Sequence, residues 1–194
     1  MQTIPTPQSK LQTLKEIIQF VIITLIIVLP IRFFIAQPFI VSGGSMNSTF
    51  DDGNYLIVDE ISYRFNNPNR GDVVIFKHPY DNSRYLIKRL IGLPGETVEM
   101  KAGIVTVKNK NNPNGFSLNE TYLDSKNNLL YGSSTIDLES DEYYALGDNR
   151  IASSDSRMWG PLKKDLIVGR PFVRLWPLTR FSILPGFFDA YEKK

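Results

Sequence analysis

The sequence predicts a mainly β domain of antiparallel strands behind one N-terminal transmembrane helix. Residues 17–41 are almost all apolar, as expected of a helix that crosses a bilayer. From residue 37 onward, short runs rich in Val, Ile and Tyr alternate with turn signals such as Asp-Gly at 52–53 and Leu-Pro-Gly at 93–95. No long run after residue 50 repeats its apolar residues every 3.6 positions. We therefore expect short strands in a closed or nearly closed antiparallel fold.

The apolar run divides the chain into three parts. We expect a polar tail at 1–15, a transmembrane helix at 16–36 and a globular domain at 37–194. About 20 helical residues cross the hydrocarbon core, and Arg32 can reach the interface through its long side chain. A buried amphipathic helix is the alternative, but the run is apolar on every face. No small-x-small site follows the run, so we expect it to be retained rather than removed as a cleavable signal.

The charges that flank the helix predict its orientation. Lys10 and Lys15 precede the apolar run and Arg32 lies at its far end, so the positive-inside rule places the N-terminus in the cytoplasm. The domain would then lie on the extracytoplasmic side of the cell membrane. The residues leave open whether that membrane is the plasma membrane or an internal photosynthetic one.

Composition excludes several classes of function. The chain has no cysteine, which excludes disulfides, thiol catalysis and thiolate metal sites. His78 is its one histidine, so a zinc site with several imidazole ligands is excluded as well. The net charge of +2, from 22 Lys and Arg against 20 Asp and Glu, is too small to indicate a nucleic-acid partner.

One segment departs from the strand pattern. Residues 108–135 are polar and rich in Asn. We interpret this segment as an exposed excursion from the domain, such as a hairpin.

A search for a nucleophile has to begin with Ser and Thr, because cysteine is absent. A Ser-His-Asp triad would need His78, which lies at a strand end and is more simply a surface or packing residue. A lysine is the other candidate base, and burial among apolar groups lowers the pKa of a lysine. Lys88 fits, because it lies inside the apolar strand 85–92. Strand alternation directs Lys88 and Arg89 to opposite faces; the alternative is that Lys88 is a solvated surface charge.

Ser45 is the serine whose surroundings best suit a nucleophile. It follows Gly43 and Gly44, which allow a close approach of the main chain and unusual dihedral angles. Such a turn suits a serine whose own N–H helps to form an oxyanion hole, although a plain tight turn has the same sequence. Ser45 also lies a few residues after the apolar run, so we expect it near the bilayer surface.

A third segment, 146–160, combines acidic, basic and hydroxyl side chains in one loop. A polar turn held by Asp–Arg pairs accounts for part of this composition. A serine hydroxyl here could also orient the amine of a catalytic lysine.

Together these segments resemble the type I signal peptidase family. The similarity covers nearly the whole chain, with the segments in the family's order behind an N-terminal apolar run. It is carried by VSGGSMNSTF at 41–50, KRLIGLPGE at 88–96 and GDNRIASSDSRMWG at 147–160, with weaker support from GDVVIFKHP at 71–79, NETYL at 119–123 and RLWPL at 174–178.

The resemblance implies a mainly β catalytic domain of signal peptidase type and a function. Members are membrane-bound serine endopeptidases that remove N-terminal signal peptides from secreted and membrane-translocated preproteins, cutting after small-x-small motifs. Its implied partners are signal peptides and the lipid bilayer, and it implies no metal and no cofactor. We expect the substrate to bind as an added strand between residues 40–43 and residues 84–87.

The resemblance also implies a role for each matching residue. Ser45 would be the nucleophile and Lys88 the general base, with Ser153 hydrogen-bonded to the lysine amine. Gly43, Gly44 and Met46 would belong to the oxyanion and substrate-pocket region, with Met46 at the pocket floor.

Salt bridges would hold this site together. The resemblance implies that Arg89 pairs with Asp148 and that Asp155 pairs with Arg157.

The chain departs from the family pattern at several positions. Ser48 and Phe50 stand where the family usually has Pro and Leu, Glu96 stands for Asp, and 151–152 (Ile-Ala) stand for a common Asp-Asn pair. Gly43 stands where some members have a serine that serves the oxyanion hole, which puts a side-chain oxyanion donor in doubt.

Two other functions fit parts of the sequence. A self-cleaving Ser–Lys regulator would be expected to carry a DNA-binding region and no membrane span. A non-enzymatic protein that binds or chaperones secreted chains would not need the pair Ser45 and Lys88.

Overall fold

The computed structural model describes residues 10–30, 36–124 and 133–188. These residues form three α-helices, twelve β-strands and two short 3-10 turns. The helices are α1 (Lys10–Pro30), α2 (Ser62–Phe65) and α3 (Ser156–Trp159), and the 3-10 turns are Lys164–Leu166 and Leu178–Arg180. The strands are β1 (Ala36–Ile40), β2 (Tyr55–Asp59), β3 (Val73–His78), β4 (Asp81–Gly92), β5 (Thr97–Lys101), β6 (Ile104–Asn109), β7 (Asn112–Ser117), β8 (Ser133–Asp137), β9 (Glu142–Leu146), β10 (Leu162–Lys163), β11 (Ile167–Trp176) and β12 (Ser182–Ile183).

Helix α1 is long and apolar enough to cross a membrane. Its window Gln12–Leu29 has a mean hydropathy of 1.9, and none of this window is buried by the rest of the protein. A helix of 21 residues spans about 31 Å at the usual rise of about 1.5 Å per residue. The helix begins at Lys10, inside the predicted tail, and ends at Pro30. Arg32 and the rest of residues 31–35 lie outside the described residues, and so do residues 1–9.

The predicted mainly β fold class is confirmed: the strands form two antiparallel sheets. The larger sheet has the order β1-β2-β11-β3-β4-β9-β10, with β12 paired to the second half of β11. Within the described chain, β1 and β10 are the two ends of this sheet and do not pair with each other, so the sheet is not a closed barrel.

Strand β4 positions the site. It pairs with β3 over residues 81–89, but β9 pairs only with residues 89–92 on its other edge. Residues 81–88 therefore have one edge without a strand partner among the described residues. Across that edge lies β1, and the rings of Phe39 and Tyr85 meet with their centroids 5.3 Å apart.

The predicted polar excursion is part of the smaller sheet, which has the order β7-β6-β5-β8. Strands β6 and β7 form a hairpin in which Asn109 Oδ1 accepts hydrogen bonds from the main-chain N–H groups of Asn111 and Asn112. The excursion contains the hairpin that the sequence analysis predicts. The pairing of β5 with both β6 and β8, which makes the excursion part of a sheet, is not predicted by the sequence. Residues 125–132 of this excursion lie outside the described part of the chain.

One apolar cluster lies directly beneath the serine turn. Met46 and Phe50 are fully buried in it, together with Val41, Leu56 and Val73 from the surrounding strands. Burying such side chains stabilises a fold by about 1.5–3 kcal/mol each. This cluster therefore fixes the turn that carries Ser45 to the face of the larger sheet.

Candidate active site

The side chains of Ser45 and Lys88 meet at one end of the unpaired edge of β4. Lys88 Nζ lies 2.8 Å from Ser45 Oγ and 2.9 Å from the carbonyl oxygen of Ile87, to which it donates a hydrogen bond. Lys88 is only 2% exposed, so its amine is shielded from bulk water. This distance is short enough for direct proton transfer between the hydroxyl and the amine.

Burial also changes the acidity of Lys88. Removing the ammonium from water lowers the pKa of Lys88 to about 8, against the opposing effect of the carboxylates of Asp155 and Asp148. A sizeable fraction of the amine is therefore neutral near pH 7 to 8. Only the neutral form can accept a proton from a serine hydroxyl.

The serine turn is shaped by glycine and held by hydrogen bonds. Gly43 has a φ of +86°, a region that favours glycine, and its N–H donates to Asp52 Oδ1 over 2.7 Å. Asn149 donates its main-chain N–H to Ser45 O and its side-chain amide to Gly44 O, each over 3.0 Å. The Gly43 N–H is thus already engaged. The Ser45 N–H has no hydrogen-bond partner within the described residues, which leaves it available as an oxyanion donor.

Arg89 and Asp148 form a buried bidentate ion pair on the opposite face of β4 from Lys88. Arg89 Nε and Nη2 donate to the two carboxylate oxygens over 2.9 and 2.6 Å, and both side chains are at most 1% exposed. Asp148 also accepts a hydrogen bond from Thr49 Oγ1 over 2.5 Å. Thr49 lies in the serine turn, so the ion pair connects that turn to the loop after β9.

Asp155 and Arg157 form the second ion pair that the family resemblance implied. Arg157 Nε and Nη2 donate to Asp155 over 2.7 and 2.8 Å. Asp155 also accepts the main-chain N–H of Gly147 over 3.0 Å and caps the first turn of α3. This carboxylate is therefore held in place from three directions.

Ser153 does not form the expected hydrogen bond to the lysine amine. Its Oγ is buried and has no hydrogen-bond partner among the described residues. The amine instead lies within hydrogen-bonding distance of Ser45 Oγ and Ile87 O. Ser153 Oγ lies against Gly147, where a Cβ would approach it to 2.2 Å and Ser45 O to 2.5 Å. Ser153 is thus close to the site without acting on the amine in this structure.

Met46 does not line the cleft beside Ser45 and Lys88. It is completely buried, and its Sδ accepts the main-chain N–H of Asp148 over 3.5 Å. Val41 and Leu56 lie between it and the cleft. Gly43 and Gly44 do not line the cleft either, and their main-chain groups are hydrogen-bonded to Asp52 and Asn149.

The cleft that ends at the Ser45 and Lys88 side chains runs between β1 and the unpaired edge of β4. It has a volume of about 100 Å³. Both strands of the predicted substrate position contribute to its lining, which comprises Phe39, Ile40, Val41, Ser42, Ser45, Leu56, Ile75, Tyr85, Leu86, Ile87 and Lys88.

From the sequence, no role was assigned to Glu120, Tyr122 and Arg150, which lie beside the ion pair of Arg89 and Asp148. Arg150 is bound by Glu120 and Tyr122, and the ring of Tyr122 packs on the guanidinium of Arg89. The segment NETYL was noted for its resemblance, but nothing in its sequence specifies that its side chains reach across to another sheet.

Comparison with known proteins places these features in a family. The model of signal peptidase, peptidase S26, matches residues 14–176. A probable signal peptidase I-1 from Synechocystis sp. is 34% identical over 194 residues, covering 96% of this chain and 94% of the relative. A signal peptidase I from Leptolyngbya laminosa is 37% identical over 179 residues, covering 88% of this chain and 84% of the relative.

A solved structure of a signal peptidase I from Enterococcus faecalis is 34% identical, covers 54% of this chain and 97% of that chain, and has a TM-score of 0.46. The family model spans most of the chain, and both relatives match it over most of its length. The chain therefore belongs to the signal peptidase family, peptidase S26, and is an enzyme of the signal peptidase I type.

Proposed function

We propose that the protein is a membrane-anchored serine endopeptidase in which Ser45 is the nucleophile and Lys88 the general base. The observation that carries this proposal is the distance of 2.8 Å between Lys88 Nζ and Ser45 Oγ, at the end of a cleft beside an unpaired strand edge. The lowered pKa of Lys88 supports the role of base, because a lysine in water is almost wholly protonated at neutral pH.

The reaction is an acyl transfer in two stages. Ser45 Oγ attacks the scissile carbonyl carbon while its proton moves to Lys88 Nζ. The oxyanion that forms accepts a hydrogen bond from the Ser45 N–H. The carbon–nitrogen bond then breaks, and Lys88 returns the proton to the leaving amine. In the second stage water attacks the acyl group and gives its proton to Lys88. Release of the acid returns that proton to Ser45 Oγ.

The substrate binds as an extended strand along the unpaired edge of β4. Residues 84–87 have no strand partner on this side within the described chain, although Ile87 O accepts a hydrogen bond from Lys88 Nζ. Residues 40–42 flank the cleft from β1. Alternate side chains of an extended peptide point the same way, so two substrate positions face the lining of the cleft. The cleft is small, with a volume of about 100 Å³, which supports a preference for small side chains at these positions and cleavage after a small-x-small motif.

Helix α1 anchors the enzyme in the membrane, with a cytoplasmic tail before it and the catalytic domain on the extracytoplasmic side. The apolar window Gln12–Leu29 supports the anchor, and the positions of Lys10 and Lys15 support the orientation. Protease added to sealed, inverted membrane vesicles should leave the domain intact. Degradation of the domain in these vesicles would show that the domain lies on the cytoplasmic side instead.

The dyad is tested by cleavage of a signal-peptide-bearing precursor in detergent. Wild type should cut it, while folded Ser45→Ala and Lys88→Ala should be inactive. Ser134→Ala and Lys101→Ala are matched controls at exposed positions on the smaller sheet and should retain full activity. Substantial activity of Lys88→Ala would mean that another group is the base. An inert wild type would favour the binding or chaperone function.

The specificity is tested with precursors that differ at the two positions facing the cleft. Replacing Ala by Leu or Trp at the first or third residue before the cut should abolish cleavage, whereas the same change at the second residue should be tolerated. Equal cleavage of all these precursors would rule out the small-pocket model.

A further inference from the structure

Residues 118–124 follow β7 and contact Arg89, the serine turn and the loop after β9. Glu120 lies against Arg150, in the loop after β9, and the two are largely buried, with 10% and 1% of their side chains exposed. Arg150 Nη1 donates to Glu120 Oε2 over 3.1 Å, and Nη2 donates to Oε1. The pair is therefore bidentate and shielded, the arrangement in which an Arg–carboxylate contact is most selective in geometry.

Tyr122 joins this pair to the ion pair on β4. Its hydroxyl donates to Glu120 Oε1 over 2.6 Å and accepts from Arg150 Nη2 over 3.2 Å. Its ring lies under the guanidinium of Arg89, with Cζ 4.0 Å from the ring centroid, a close cation–π contact. Ser48 Oγ, in the serine turn, donates to Tyr122 O over 3.2 Å.

The loop after β9 continues these contacts toward the main chain of the serine turn. Arg150 Nε donates to Gly147 O over 3.1 Å, and the residues that follow Gly147 are Asp148, which binds Arg89, and Asn149, which binds Ser45 O. The chain from Gly147 to Arg150 is thus held on one side by the serine turn and on the other by Glu120 and Tyr122.

From this arrangement we infer that Glu120, Tyr122 and Arg150 are positioning residues that hold the loop after β9 against the serine turn, so that Ser45 keeps its alignment with Lys88. This inference rests on the proposed function of Ser45 and Lys88. Misplacing a nucleophile by about 1 Å can slow a reaction by about 100-fold, so a modest loosening of this support should reduce kcat. It should leave KM nearly unchanged, because the cleft between β1 and β4 contains none of the three residues.

The chain offers a matched control in a second buried pair. Arg70 Nη2 donates to both oxygens of Glu96 over 2.6 and 2.7 Å, and the two side chains are 1% and 8% exposed. This pair also connects the smaller sheet to the larger one, through the hydrogen bond from Asn109 to Glu96. The side-chain hydrogen bonds of this pair within the described residues go to Ile91, Leu93 and Asn109, and none goes to the loop after β9.

We expect Glu120→Gln to reduce kcat for precursor cleavage by about tenfold or more, with KM within about twofold of wild type. Glu96→Gln should lose a similar amount of thermal stability but keep kcat within about twofold, since both changes break a buried Arg–carboxylate pair. Full kcat in folded Glu120→Gln would overturn the inference. An equal loss of kcat in Glu96→Gln would overturn it too, because the effect would then belong to sheet docking in general.

Tyr122 provides a second, independent test that needs no broken ion pair. Tyr122→Phe keeps the ring on Arg89 and should retain more kcat than Tyr122→Leu, which removes the ring. Equal and full kcat in both variants would overturn the inference. If wild type itself fails to cleave the precursor, the proposed function falls. If wild type cleaves and these variants match it, only the positioning role falls.

Discussion

Lys88 and Arg89 are neighbours on β4 whose side chains lie on opposite faces and enter separate hydrogen-bond networks. Lys88 Nζ lies 2.8 Å from Ser45 Oγ, whereas Arg89 binds both carboxylate oxygens of Asp148. One strand thus carries the proposed base on one face and the buried ion pair of Arg89 on the other. Substitutions at the two positions should therefore separate proton transfer from structural support.

Cleavage should depend on pH through Lys88. Its pKa is lowered to about 8, and only the neutral amine accepts the proton of Ser45, so kcat/KM should rise tenfold per pH unit below about 8 and level off above it. The measurement is kcat/KM for a signal-peptide substrate between pH 6 and 10. A profile that is flat across this range would contradict the role of Lys88.

Removing the carboxylate of Asp155 should move that profile to lower pH. Asp155 favours the protonated form of Lys88, so its loss lowers the pKa of the lysine further, and the uncompensated charge of Arg157 acts in the same direction. The test is the pH profile of Asp155→Asn, with Asp137→Asn, at an exposed position, as the control. A shift to higher pH would show that loss of burial, not charge, governs Lys88.

Lys88→Met should abolish cleavage and raise stability at neutral pH. The folded state disfavours the ammonium, so wild type loses stability as pH falls from the ordinary lysine pKa of about 10.4 to the folded value of about 8. At about 1.4 kcal/mol per pKa unit, the gain on substitution is at most about 3 kcal/mol, reduced by lost hydrogen bonds. Chemical denaturation at pH 7 and pH 10 should show a gain that shrinks at pH 10. Lys101→Met, at an exposed position, should change neither the cleavage activity nor the free energy of unfolding. A loss of stability at pH 7 would count against this account of Lys88.

Asp148→Asn should lower the free energy of unfolding by about 3 kcal/mol or more, because it leaves Arg89 buried without a counter-charge. The exposed pair of Arg180 and Asp51, whose side chains are 46% and 48% exposed, is the comparison. Asp51→Asn should cost at most about 1 kcal/mol. The free energies of unfolding are measured by denaturant titration. Similar losses in both variants would mean that burial does not determine how much the Arg89–Asp148 pair contributes to stability.

Gly147→Ala should slow cleavage more than its effect on stability explains. An added Cβ would lie 2.2 Å from Ser153 Oγ and 2.5 Å from Ser45 O, so the serine turn has to move. Gly169→Ala is equally crowded, with Asp59 O at 2.3 Å, but lies away from the dyad. We expect both variants to be less stable and only Gly147→Ala to lose about 100-fold in kcat. Wild-type kcat in Gly147→Ala would show that the turn relaxes without moving Ser45.

Local patterns predicted several of the strands and marked Ser45 and Lys88 as candidates, whereas the resemblance to the signal peptidase family was what assigned the two residues their roles. Alternation along β4 predicted opposite faces for Lys88 and Arg89, and the apolar neighbours of Lys88 predicted its burial. These features depend on residues close together in sequence. The turn at Gly43 likewise follows from a residue that tolerates a positive φ.

Contacts between distant segments could not be predicted in the same way. A sequence does not reveal how deeply a side chain is buried. Met46 is expected at the pocket floor, but it is completely buried and does not line the cleft. The orientation of Ser153 depends on how the loop after β9 packs on the serine turn. The contact of Tyr122 with Arg89 depends on the docking of one sheet on the other.

The residues of the site come from remote parts of the chain: Ser45 and Lys88 are 43 positions apart, and Arg89 and Asp148 are 59 positions apart. In a chain whose larger sheet has not yet formed, Lys88 is hydrated, and at its ordinary pKa only about one amine in 2,500 is neutral at pH 7. At a pKa of about 8 the neutral share is about one in ten. An unfolded copy of the chain should therefore hydrolyse almost nothing, because the proposed base becomes appreciably neutral and meets Ser45 only when the larger sheet forms.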